Sequence, residues 1–71
     1  MNIEYGSLLN AIQENIDESL ISNYDFDSLL RSAKIVWDNT AIEVTAKDFI
    51  MVFDIISYEL VDYTGNDIIG D

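Results

Sequence analysis

Seventy-one residues without cysteine or histidine make one small domain that lacks disulfide staples, thiolate or imidazole catalysis and ordinary zinc sites. Fourteen acidic residues against three cations, Arg31, Lys34 and Lys47, give a net charge of −11, which repels nucleic-acid phosphates and anionic lipid and attracts basic partners. At 49% hydrophobic the chain is too apolar for a disordered acidic tail, yet no apolar run reaches the roughly 18 residues of a membrane span and no secretory pattern opens it, so a soluble cytoplasmic protein is expected.

The absence of proline favours continuous helices. A first helix is expected from about Ile3 to Ile21, capped by Asn2 or Ser7, with Leu8 or Leu9, Ile12, Ile16 and Leu20 as its inner stripe. Its other side carries Glu14, Asp17 and Glu18, carboxylates close enough to repel that no cation of the helix relieves. The polar stretch Ser22–Asp25 breaks the chain, and Asn23 or Asp25 caps a second helix from about Phe26 to Asn39. Phe26, Leu30, Ala33 and Trp37 share one face of it. The segment KIVW-DNT-AIEV also alternates weakly and offers a hairpin across Asp38–Thr40, but the helical period from Phe26 to Trp37 is preferred.

The third helix, about 46–63, has the clearest start. Thr45 with Asp48 reads as a capping box, and Val44 with Phe49 as a hydrophobic staple. Phe49, Val52, Phe53, Ile56, Leu60 and Tyr63 then recur at spacings of three and four. Met51, Ile55 and Tyr58 lie beside or opposite that stripe, and this second apolar side is expected to form a homodimer or partner interface that enlarges a small core. Gly65 should end the helix, leaving 64–71 as a tail that frays or folds back through Ile68 and Ile69. The expected fold is therefore all-α, a three-helix bundle forming a single acidic domain over 1–71.

Carboxylates are plentiful, but with no histidine or cysteine there is little to tune a general acid or base, so no enzyme activity, catalytic residue or cofactor is expected. Asp62, Thr64 and Asn66 alternate like the ligands of a calcium loop without the bidentate glutamate at its twelfth position, and no metal site is expected. Asp27–Ser28–Leu29 at a helix start resembles the phosphopantetheine attachment motif of acyl and peptidyl carrier proteins, which are also small, acidic and helical. That resemblance implies modification of Ser28, although Phe26 replaces the usual glycine and Arg31 and Lys34 stand where carrier helices are acidic. The plainer reading makes Asp27 and Ser28 first-turn residues.

Carboxylates on a rigid frame present negative charge at spacings near those of a phosphate backbone, and a protein that grips nucleic acid with lysine and arginine accepts such a frame as a decoy. The candidate set is Glu14, Asp17, Glu18, Asp25, Asp27, Asp54, Glu59 and Asp62. In size, acidity and lack of cysteine and histidine the chain resembles the small phage-encoded inhibitors that imitate DNA, a likeness of class without a shared motif. It implies an inhibitor that binds a basic DNA- or RNA-binding protein in the host cytoplasm, without touching nucleic acid or membrane itself. The alternative is an acidic helical adaptor or structural protein whose charge only keeps it soluble.

Overall fold

The apolar run that begins at Phe49 is a strand. Phe49, Met51, Phe53 and Ile55 are buried, and their spacing of two is the period of a pleated backbone with one face packed inward. The computed structural model describes residues 3–69. Its elements in order are α1 (Tyr5–Asn15), a 3₁₀ segment (Glu18–Asn23), α2 (Phe26–Ser32), β1 (Lys34–Trp37), β2 (Ala41–Thr45), β3 (Ile50–Asp54) and β4 (Leu60–Thr64). The strands form one antiparallel sheet in the order β1-β2-β3-β4. The all-α bundle is thus corrected to short helices laid on one face of a four-stranded meander.

Each expected helix is shortened or replaced for a local reason. The stripe of α1 is real: Leu8, Ala11 and Ile12 are buried, and the Glu4 carboxylate caps the start by accepting from the Gly6 N–H at 3.3 Å. The helix stops at Asn15 because Ile16 turns extended, and the Asp17 carboxylate then accepts from both the Ser19 N–H and hydroxyl, starting the 3₁₀ segment instead. The second helix begins at Phe26 under an Asp25 cap, as expected, but ends at Ser32 rather than Asn39. From Lys34 onward the hairpin reading of KIVW-DNT-AIEV is the correct one. Asp38 makes its turn: its Oδ1 accepts from the Thr40 N–H at 2.7 Å, the Thr40 hydroxyl at 2.8 Å and the Ala41 N–H at 2.9 Å.

The helix expected over 46–63 does not exist. Thr45 ends β2, and a turn through Lys47–Asp48 is closed by the Ala46 N–H donating to the Phe49 carbonyl at 2.9 Å. The run Phe49–Phe53 is β-branched and aromatic apart from Met51, which suits a pleated surface better than a helix. Ile42 stands opposite Phe53, and Val44 opposite Met51, on the inner face. These four, with Leu8 and Ile12 of α1, are fully buried, and burial of each such side chain is worth about 1.5–3 kcal/mol. Ile56 and Val61, by contrast, are exposed.

The segment after β4 folds back, through one isoleucine rather than two: Ile68 is buried and Ile69 is not. Ile68 bridges Ile16 in antiparallel sense, flanked by Asp17 N–H to Asp67 carbonyl at 2.8 Å and Ile69 N–H to Asn15 carbonyl at 3.0 Å. Gly65 permits the change of direction. Its φ of +143° is open to glycine, and a Cβ there would stand 2.8 Å from the Phe49 Cβ. Gly65→Ala is expected to cost about 1–3 kcal/mol. A denaturant midpoint equal to that of the parent would show that the segment does not lie against Phe49.

Candidate functional site

No acidic side chain is buried among the described residues, so the charge lies on the surface. It is not a loose coat, because several carboxylates are tied to backbone N–H groups. Asp17, Asp25, Asp38 and Asp54 each accept from the backbone of residues two or three ahead. Hydrogen bonds to the ionised form hold three of these acids below the usual carboxylate range. For Asp25 the Ser28 N–H is the main cause, for Asp38 the Thr40 N–H, and for Asp54 the Ser57 and Ile56 N–H groups.

The expected acid set is therefore dispersed over the molecule rather than gathered on helical faces. Glu14 lies in the last turn of α1, Asp17 and Glu18 open the 3₁₀ segment, and Asp25 and Asp27 form the cap and first turn of α2. Glu14 and Glu59 line one polar cleft between α1 and the β3–β4 loop, with Ser57 and Tyr58. Asp54 folds that loop, its Oδ1 accepting from Ile56 and Ser57 at 2.8 and 3.0 Å. Asp62 lies on the open face of the sheet, beside Val52. No three acids converge as metal ligands among the described residues. Ser28, the residue singled out by the carrier-protein motif, donates its hydroxyl to Asp25 at 3.1 Å and sits on a seven-residue helix in a fold that is not all-helical.

The expected dimer face needs correcting, because it depended on a third helix. Met51 and Ile55 point into the core of the single chain and are 0% and 5% exposed. Tyr58 is half-buried: it occupies a left-handed conformation at φ +59°, and its hydroxyl accepts the Glu4 N–H at 2.7 Å. A non-glycine residue there carries some backbone strain, offset by this tie between the β3–β4 loop and the start of α1.

Exposed apolar side chains lie elsewhere and are scattered: Val36 and Ile50 stand on the side of the sheet away from the helices, whereas Trp37 and Tyr63 pair with the inward-facing Ile42 and Met51. Reading across the strands, Val36, Glu43, Val52 and Asp62 form one row, and Lys34, Thr45, Ile50 and Thr64 another. With strands about 4.8 Å apart, Glu43 and Asp62 stand about 10 Å from each other. Val36, Trp37, Asp38, Ala41, Glu43 and Val52 line a cleft of about 290 Å³. Of these six, none belongs to the acid set or dimer face drawn from the sequence; the DNT turn and the alternation around it were the available signal.

A second polar centre holds the frame together. The Tyr24 ring stacks on Phe26 at 5.6 Å and meets Phe49 edge-on at 6.2 Å, while its hydroxyl donates to the Asp67 carboxylate. Packing away from water pushes the Tyr24 hydroxyl up to about 12, with the Asp67 hydrogen bond and charge adding to the effect and Asp48 contributing further.

No protein-family model, curated protein or solved structure matches the chain. No helix among the described residues is long and apolar enough to cross a membrane.

Both groups of shifted residues make stability depend on pH. Tyr24 keeps its proton in the fold after the unfolded chain has lost it, so its contribution is whole below about pH 10 and disappears as pH rises towards about 12. Tyr24→Phe should lack that alkaline step in thermal melts; a step of unchanged size would exclude Tyr24 as its source. The depressed aspartates act with the opposite sign, stabilising above the ordinary carboxylate range and ceasing to do so as acid protonates them. Asp38→Asn keeps the accepting oxygen but not the titration, so its melting temperature should converge on that of the parent as pH falls. A gap that stays constant with pH would refute the capping role of the charge.

Proposed function

We propose that the protein is an acidic inhibitor that binds a basic, nucleic-acid-binding protein by offering carboxylates in place of phosphates. The observation that carries this reading is the fixed acidic surface. Even if each of the three cations neutralised one acid, a charge of −11 would remain, on a chain whose described carboxylates are unburied and partly locked by N–H bonds.

A locked carboxylate loses less freedom on meeting a cation than one on a flexible stem, which favours binding through lower ordering cost. A charge of one sign also draws a basic partner in faster than diffusion alone. The dispersal of acids over helices, turns and sheet extends negative potential around the particle, and the sites presenting it include Glu14 and Glu59 on one side and Asp62 and Glu43 on the open sheet face. The revised set thus keeps the eight acids of the sequence reading and adds Asp38 and Glu43.

The reading is tested by capturing partners at low salt, identifying the basic nucleic-acid-binding proteins among them, and titrating each purified complex with salt and with duplex DNA. Affinity should fall by about tenfold or more between 50 and 200 mM salt, and DNA should displace the protein. A complex that withstands both treatments would sink the mimicry and leave an adaptor held by apolar contacts.

A further inference from the structure

We propose that residues 65–69, the segment after β4, form a strap closed by one latch, the hydrogen bond from the Tyr24 hydroxyl to the Asp67 carboxylate. Loss of that bond frees the strap as a unit while α1 and the sheet stay folded. The inference goes beyond the inhibitor reading and does not rest on it, since it concerns the protein by itself.

The strap joins the body through an isolated bridge rather than a ladder. Asp67 is the residue on which its attachments converge. Its carbonyl accepts from the Asp17 N–H, its carboxylate accepts from Tyr24, and its neighbour Ile68 is the buried side chain that pairs with Ile16. The Tyr24 bond therefore sits where it decides whether the bridge holds. Neither α1, which ends at Asn15, nor β4, which ends at Thr64, draws its own hydrogen bonds from the strap. The strap can leave without unpicking either element.

The two halves of the latch belong to different parts of the molecule. Tyr24 is fixed on the body: its ring stacks on Phe26 and meets Phe49 edge-on, and its N–H donates to the Ile21 carbonyl at 3.1 Å. Asp67 travels with the strap. A hydrogen bond to an ionised acceptor is stronger than one between neutral groups, so a single phenol can outweigh either backbone bond of the bridge. Asp48 also acts on the Tyr24 hydroxyl, so the closing strap carries a carboxylate into a region that already holds one. The phenol proton offsets that like-charge cost, and without it the closed form loses both the bond and the compensation.

Amide hydrogen exchange in the whole chain, read residue by residue, tests the device. Asp17 and Ile69 carry the two bridge amides, and Val44 and Met51, opposite each other in the sheet, report on the body. In the parent, Asp17 and Ile69 should share one protection factor, about tenfold or more below those of Val44 and Met51. Tyr24→Phe keeps the ring and removes the donor, and should lower protection at Asp17 and Ile69 together by about tenfold. Asp67→Ala removes the same bond from the strap side and answers the question alone should Tyr24→Phe fail to fold. Ile42→Val weakens the core and should lower protection at Met51 while leaving Asp17 and Ile69 unmoved, because the open form keeps that contact. A paired Ile16→Cys and Ile68→Cys variant locks the strap when oxidised: residues facing each other across such a bridge stand about 4.5 Å apart at Cα, and the chain has no cysteine of its own. Locking should raise Asp17 and Ile69 to the protection of the sheet, and reduction should reverse it. Bridge amides indifferent to loss of the Tyr24 hydroxyl or the Asp67 carboxylate would overturn the latch. Bridge amides that follow Met51 in Ile42→Val, or stay poorly protected when locked, would overturn the strap as a separate unit.

Discussion

The inner row of β3 is the constraint on which this molecule depends. Phe49, Met51, Phe53 and Ile55 present one continuous apolar edge to α1, and β3 lies between β2 and β4 in the sheet. Ile42 and Val44 extend that edge into the next strand, and Leu8, Ala11 and Ile12 cover it from above. A domain of this size has little apolar burial to spare, and a charge of −11 works against compaction. The sheet–helix seam must therefore carry the cohesion, which explains why its residues are sealed so completely from solvent.

Charge and fold are reconciled at the turns. Asp17, Asp25, Asp38 and Asp54 each sit where the chain changes direction and collect N–H groups that would otherwise lack partners. In doing so they exchange water for fixed backbone dipoles, which stabilise the ionised form. Part of the acidic surface is thus also the chain's set of corner pieces. Reversing such a residue alters both the potential around the protein and the turn beneath it, whereas Glu18 and Glu43 lie on elements whose course they do not set.

How much of this was legible in the sequence depends on the segment. The stripe Leu8, Ile12, Ile16 and the Asp25 cap were visible because each has a local cause, whereas the break expected at Ser22–Asp25 falls partly inside the 3₁₀ segment, which runs to Asn23. Asp38–Thr40 was visible as a turn and outweighed by the apparent period ending at Trp37. The larger error came from Phe49–Phe53, an unbroken apolar run. Such a run fits a spacing of two and of three or four alike, and Thr45 with Asp48 imitated a helix cap where the chain makes a hairpin turn. Packing against α1 made the choice, and that is not written in the run itself. The site followed the fold: acids read as a helical face became turn clamps, while Trp37 and Val36, assigned to a helix, emerged at a sheet edge.

The bridge between Ile16 and Ile68 has a consequence for the order in which the fold opens. Each hairpin joins neighbours in the chain and closes on a short loop, but this bridge joins segments from opposite ends of the described chain. Contacts of such separation form late and are the first to open, because their loop-closure entropy is large and their own bonding small. Opening it breaks the two flanking backbone bonds and uncovers Ile16 and Ile68, with all three hairpins still paired. The opened form presents extended chain at Ile16 and along Asp67–Ile69, while α1 and the sheet keep their own packing.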